Sequence, residues 1–265
     1  MSEDSNAHSQ RTPNLLASWN RVRGRIADAP RVALFLDFDG TLVNYAPRPE
    51  MVRLLPGTRR LLQRLARNPR IQLSIISGRR RAEIARHVGL PRLRYLGSYG
   101  WEDSARASIS GLDRAALAQA KRALTAVLNG SKSPWLEDKR LMLAVHFDHS
   151  APPARRRMLE LMRAISISSG GRLRMIENIE DSELLPRIFR GKGCAVRSDL
   201  SGAPARAVLP IYFGDNLSDE SAFAAARRGI TVRVGRQGRA TRAHFQLRSP
   251  AEVAETLGRI EEALR

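Results

Sequence analysis

The sequence predicts an α/β fold, a doubly wound parallel-sheet core with an inserted α+β cap domain, and three observations carry that prediction. Continuous apolar runs at Arg31–Leu36, Ile71–Ile76 and Val208–Phe213 read as strands buried on both faces, as parallel sheets require. Helical segments alternate with these runs, which implies right-handed crossovers and a Rossmann-like layout. Between residues 106 and 181 the alternation gives way to helix–strand–helix–strand, the pattern of a small separate sheet.

Residues 1–30 precede the core. The first fourteen are polar and read as a disordered tail, and Leu15–Ala27 read as a short helix. After the first strand, Pro56-Gly57 opens an amphipathic helix to about Ala66, followed by the second strand, a helix over Ala82–Val88 and a short strand at Tyr95-Leu96. Core residues are thus 31–105, resuming at 182–265. The insertion supplies helices over Arg114–Leu128 and Ala154–Ile165 and strands over Leu141–Phe147 and Arg172–Ile176. The returning core reads as helix Gly193–Leu200, strand Val208–Phe213, helix Ser221–Arg227, strand Ile230–Val234 and a final helix. Ser249 at its N-cap, Pro250 at the first position and Glu252 completing a capping box mark where that helix starts.

A 265-residue chain with 43% apolar and 27% charged residues has ordinary globular composition. No apolar run approaches the roughly 20 residues that span a bilayer, so no membrane partner is expected. The tail lacks the apolar stretch of a secretory leader, and a single cysteine, Cys194, excludes an internal disulfide framework. A cytoplasmic monomer is the expectation. The net charge of +19 is almost all arginine, since the chain has only Lys121, Lys132, Lys139 and Lys192. Those arginines are scattered, with few aromatics among them and no helix-turn-helix or zinc signature, so no specific nucleic-acid partner is expected. A basic nucleic-acid-binding protein with a vestigial site is the alternative from another class.

The first strand ends in Asp37-Phe-Asp39-Gly40-Thr41. Residues two apart on a strand point the same way, so both carboxylates can face one site at the sheet edge where ligands bind. Gly40 permits a sharp turn, and Thr41 offers a hydroxyl and an N–H to a phosphate. Ser77-Gly78-Arg79 follows the second strand, Lys192-Gly193 opens a helix, and Gly214-Asp215-Asn216-Leu217-Ser218-Asp219 follows a later strand. A lysine at a helix start opposes the dipole, a cost that nearby phosphate and carboxylates offset. A solvated surface lysine is the plainer reading. Asp219 reads equally as a cap for the helix at Ser221.

In this order the four segments resemble the motifs of haloacid dehalogenase-like phosphatases. The resemblance implies Asp37 as nucleophile, Asp39 as general acid and base, and Lys192 beside the phosphate with Gly40, Thr41, Ser77 and Gly78. It implies Mg²⁺ held by Asp37, the Asp39 carbonyl and Asp215, with Asn216 and Asp219 in support, a hard all-oxygen site. Further segments resemble the trehalose-6-phosphate phosphatases: Gly97-Ser-Tyr-Gly100-Trp-Glu102, Glu137-Asp-Lys139 with His146-Phe147, Glu183-x-x-Pro186, and Gly214 through Phe223. Arg79, Glu102, Glu137, Lys139 and Glu183 are then expected at the substrate, a sugar phosphate. The same charged residues read otherwise as exposed ion pairs, His146 as a satisfied strand residue, and Trp101 and Trp135 as core. Tyr99, Leu185, Asn216 and Asp148 depart from the family pattern, where histidine, arginine, aspartate and arginine are usual. Related capped phosphatases acting on sucrose phosphate or mannosylglycerate phosphate are the alternative within the superfamily.

Overall fold

In the computed structural model every residue from Val32 to Leu36 is buried, which places this strand at the centre of the main sheet. The described residues are 12–46, 48–103, 108–128, 130–147, 150–178, 181–202, 204, 207–235 and 240–265. In chain order the core begins with α1 (Asn20–Ala27), β1 (Arg31–Leu36), α2 (Pro56–Leu65), β2 (Ile71–Ile76), α3 (Arg81–Val88) and β3 (Arg94–Leu96). The insertion supplies α4 (Gly111–Leu128), β4 (Trp135–Asp138), β5 (Leu143–His146), α5 (Pro152–Ser168), β6 (Leu173–Glu177) and β7 (Asp181–Pro186). The core then continues through α6 (Lys192–Leu200), β8 (Val208–Gly214), α7 (Glu220–Ala225), β9 (Ile230–Val234), β10 (Phe245–Leu247) and α8 (Pro250–Ala263).

The six core strands are parallel in the order β10-β9-β8-β1-β2-β3. Sequence runs outward from β1 in both directions, so the order reverses between β1 and β8, where open α/β sheets bind ligands. Alternation along β1 divides two cores. Val32, Leu34 and Leu36 share one with α1, α2, α3 and α8, while Ala33 and Phe35 share the other with α6 and α7.

The insertion forms its own antiparallel sheet, β4-β5-β7-β6. Leu143, Val145, Leu173 and Leu184 of that sheet pack with Leu117 and Leu124 of α4 and Met158 and Met162 of α5. This sheet takes in β7 through Pro186, past the division expected at residue 181, and the other expected division, at 105, lies outside the described residues.

Three strands, β4, β7 and β10, are absent from the sequence reading. Pro13 and Asn14, expected in the tail, pair with β10: the Gln246 N–H donates to the Pro13 carbonyl at 2.9 Å, and Asn14 bridges Gln246. Residues 1–11 lie outside the described residues. The first helix starts at Asn20 rather than Leu15, after a turn that Asn14 Oδ1 caps by accepting from Ala17 N–H. At α8, Ser249 and Pro250 hold the expected positions, but the capping box does not form. Ser249 makes no side-chain cap bond, and Glu252 Oε2 instead accepts from the N–H of Arg248 at 2.8 Å. Among the described residues no helix is long and apolar enough to cross a membrane.

α6 and α7 meet at Gly193, where an added Cβ would lie 2.2 Å from the Ser221 carbonyl oxygen. That close approach sets where Lys192 enters the sheet edge. Gly193→Ala should therefore destabilise the fold by about 1–3 kcal/mol through overpacking, read as a lower urea midpoint at unchanged slope.

Candidate active site

Pairing of Leu36 with Phe213 carries β1 and β8 side by side to the reversal point, where Asp37 N–H donates to the Phe213 carbonyl at 2.9 Å. Each strand then delivers a carboxylate, Asp37 from one and Asp215 from the other. Gly40 is what lets them approach. It has φ +74°, and a Cβ there would lie 2.3 Å from Asp215 Oδ2.

Lys192, at the first position of α6, is 2% exposed. Its Nζ donates to Asp37 Oδ1 and to Asp219 Oδ1, each at 2.8 Å. Burial works against the ammonium charge, but Asp219 and Asp37 outweigh it and raise the lysine above its ordinary range. The surface-lysine reading is excluded. Asp219 is also fully buried, and both its oxygens are taken. Oδ1 accepts from Lys192 and from the Tyr212 hydroxyl at 2.6 Å, and Oδ2 accepts from the N–H groups of Asp215 and Asn216 at 3.2 and 3.0 Å. It holds the loop that presents Asp215. Asn216 Oδ1 accepts from Leu217 N–H at 2.7 Å and caps the turn Leu217–Asp219.

Asp215 Oδ2 accepts from the Tyr45 hydroxyl at 2.8 Å, while its Oδ1 is buried with no hydrogen-bond partner among the described residues. Ligand atoms of Asp37, Asp215 and Asp219 all lie within 4.8 Å of one another. A carboxylate oxygen without a donor, on a residue clustered with two further carboxylates, fits a hard divalent cation such as Mg²⁺. Burial pushes the Asp37 carboxyl well above the usual range, against the pull of Lys192, with Asp219 and Asp215 adding to the rise. Asp215 is pushed up to about 6, by burial first and then by Asp219.

Ser77 directly follows β2, and its Oγ accepts from Arg79 N–H at 3.1 Å. Arg79 lines the cavity, as expected of a residue at the substrate, and makes ion pairs of its own. Its Nε and Nη2 fork onto the two oxygens of Asp39 at 2.7 and 2.8 Å, and its Nη1 reaches Glu83. It aims the second aspartate from the cavity wall. Thr41 is fully buried, with its Oγ1 unpartnered among the described residues. Gly78 passes close beneath the Tyr99 ring, 3.0 Å from a would-be Cβ.

Glu137, Ala144 and Glu183 lie in one row across β4, β5 and β7, so their side chains share a face. That face lines one cavity together with Asp37, Asp39, Ser77 and Lys192 of the core. Lys139 Nζ donates to Glu183 Oε1 at 2.7 Å and lies 3.8 Å from Glu137. Burial opposes its charge, yet Glu183 and Glu137 raise it above the ordinary lysine range. Glu183, itself pushed up by burial, also accepts from the Tyr99 hydroxyl, so Tyr99 links core to insertion. Glu137 hydrogen-bonds His146 at 2.8 Å, and Trp135 stacks on that imidazole at 4.1 Å. Trp101 stacks on Phe189 within the insertion's core.

Glu102 stands apart from the other expected substrate residues. It does not line the cavity, and its carboxylate accepts from Arg81 N–H at 3.0 Å and from Ser98 Oγ at 2.7 Å, bracing the loop that carries Tyr99. Leu185 is fully buried in the insertion's apolar core, and Asp148 lies outside the described residues. Sequence reasoning missed Tyr45, because a lone tyrosine in an irregular loop has no periodic signal. Its place eight residues after Asp37 is the one clue.

Carboxylates at the reversal point of a parallel sheet, facing an inserted antiparallel sheet, define a capped phosphatase of the haloacid dehalogenase-like superfamily. The trehalose-phosphatase family profile matches residues 35–250, and the chain belongs to that family. The trehalose-phosphate phosphatase of Mycobacterium ulcerans is 34% identical, over 97% of this chain and 68% of that protein. Its Mycobacterium tuberculosis counterpart is also 34% identical, over 96% and 66%. Among solved structures, the C-terminal domain of the Candida albicans trehalose-6-phosphate phosphatase shares the fold with TM-score 0.83 at 21% identity, covering 96% of this chain and 99% of that one. The Synechocystis sucrose-phosphatase, in complex with sucrose and phosphate, gives 0.53 at 19% identity, covering 87% and 98%.

The raised Asp215 carboxyl predicts a pH effect in metal-free protein. A carboxyl held above its unfolded value stabilises the fold at low pH, and that contribution is lost as pH rises through the folded value of about 6. Asp215→Asn should therefore gain stability relative to wild type between about pH 4 and pH 6, by on the order of 2 kcal/mol. Urea unfolding in chelator across that range measures the gain.

Proposed function

We propose that the protein hydrolyses trehalose 6-phosphate to trehalose and phosphate through an aspartyl-phosphate on Asp37, with Mg²⁺ as cofactor. The observation that carries this is the single cavity lined by Asp37, Asp39 and Lys192 of the core and by Glu137, Lys139 and Glu183 of the insertion. The names of the mycobacterial relatives support the substrate.

Asp37, Asp215 and the Asp39 carbonyl would hold the cation, with Asp219 and Asn216 fixing the loop behind it. Bound there, Mg²⁺ supplies positive charge against the phosphate oxygens. Ser77, Gly78 and Lys192 line the cavity that the phosphate would enter, and Gly40 and Thr41 would approach it from the turn after Asp39. An oxygen of Asp37 attacks phosphorus as the bond from phosphorus to the sugar oxygen breaks, and Asp39 gives that oxygen a proton. Asp39 then takes a proton from water as the water oxygen bonds phosphorus and the bond to Asp37 breaks. Lys192 holds Asp37 in place through both steps.

The insertion acts as the cap and supplies discrimination. Its carboxylates and ammonium give charge-assisted hydrogen bonds to sugar hydroxyls, and exclude water from the phosphate when closed. Tyr99, in place of histidine, sets the position of Glu183.

Asp37→Asn should keep the fold and lose essentially all turnover, measured as phosphate release from trehalose 6-phosphate. Chelation should abolish activity, and added Mg²⁺ should restore it. Undiminished activity in excess chelator would remove the metal from the mechanism. Glu183→Gln should lower kcat/KM for trehalose 6-phosphate by about tenfold or more, as a mismatched polar contact does, and leave a small aryl phosphate much less affected. Equal losses for both esters would place Glu183 outside sugar recognition.

A further inference from the structure

We propose that Tyr45 is a positioning residue for the cation site, setting which oxygen of Asp215 faces the metal. The inference rests on the Mg²⁺ reading above. Tyr45 donates its hydroxyl to Oδ2 at 2.8 Å, and the other oxygen, Oδ1, is the buried acceptor without a partner among the described residues. The ligand atoms of Asp37 and Asp219 lie within 4.8 Å of that of Asp215. One oxygen is engaged, and the other is left for a cation.

The ring is held as well as the hydroxyl. A Cβ on Gly40 would lie 2.8 Å from Tyr45 Cε2, so Gly40, Tyr45 and Asp215 pack as one unit. Tyr45 is nevertheless 51% exposed, so core burial does not account for where its hydroxyl points. The type of donor matters. An arginine or lysine at this place would neutralise Asp215 and compete with the metal. A phenol orients the carboxylate and leaves its negative charge for the cation, as groups behind metal ligands commonly do.

The test is calorimetric titration of Mg²⁺ into the full chain stripped by chelator, comparing wild type with Tyr45→Phe. The variant keeps the ring over Gly40 and removes the donor alone. The expected result is a dissociation constant about tenfold higher, with the Mg²⁺ concentration for half-maximal turnover rising in parallel. A weakening of about fivefold or more in the titration supports the role, and anything smaller overturns it. Wild-type protein that binds no Mg²⁺ would overturn the metal reading itself, and the role of Tyr45 with it.

Discussion

A lysine ammonium almost sealed from water has to be matched by negative charge at contact distance, or its burial would cost several kcal/mol. Lys192 meets that demand with Asp37 on one side and Asp219 on the other. The three groups tie together the end of β1, the start of α6 and the loop after β8. Tyr212 and the backbone of Asp215 and Asn216 hold Asp219 in turn. Removing the lysine would leave two buried carboxylates facing each other beside a third. The geometry of the site and the coherence of this edge of the sheet are therefore one constraint.

The insertion solves a different problem with the same means. Glu183 is 1% exposed and sits among strands, where an unpaired carboxylate would be costly. Lys139 and Tyr99 satisfy it. Small Ala144 lies between Glu137 and Glu183 in the row, which leaves room above the sheet for a polar guest. The core contributes groups suited to a phosphate, and the insertion contributes groups suited to hydroxyls. The bond from Tyr99 to Glu183 is one place where the two halves touch in polar terms.

Much of this was legible in the chain itself, for a physical reason. Strands buried on both faces leave unbroken apolar runs, so β1, β2 and β9 stand at the residues expected. A carboxylate pair directly after such a strand has few structural uses, which made Asp37 and Asp39 visible. β4 and β7 were not, because each carries charged residues on the face towards the cavity and so lacks an apolar run. β10 is a three-residue edge strand, too short to show a period. The partners of Arg79 and Glu102 were hidden for another reason. Sequence order brings them near the site but does not say which partner each fork or carboxylate takes. Asp39 for the one, and the backbone of Arg81 for the other, are facts of the folded chain.

The fork of Arg79 on Asp39 also has a consequence for proton transfer. Both oxygens of Asp39 act as acceptors there. Arginine does not surrender its own proton to change this. For the proposed reaction, an Asp39 that gives a proton to the leaving sugar oxygen would therefore have to turn one oxygen away from the guanidinium.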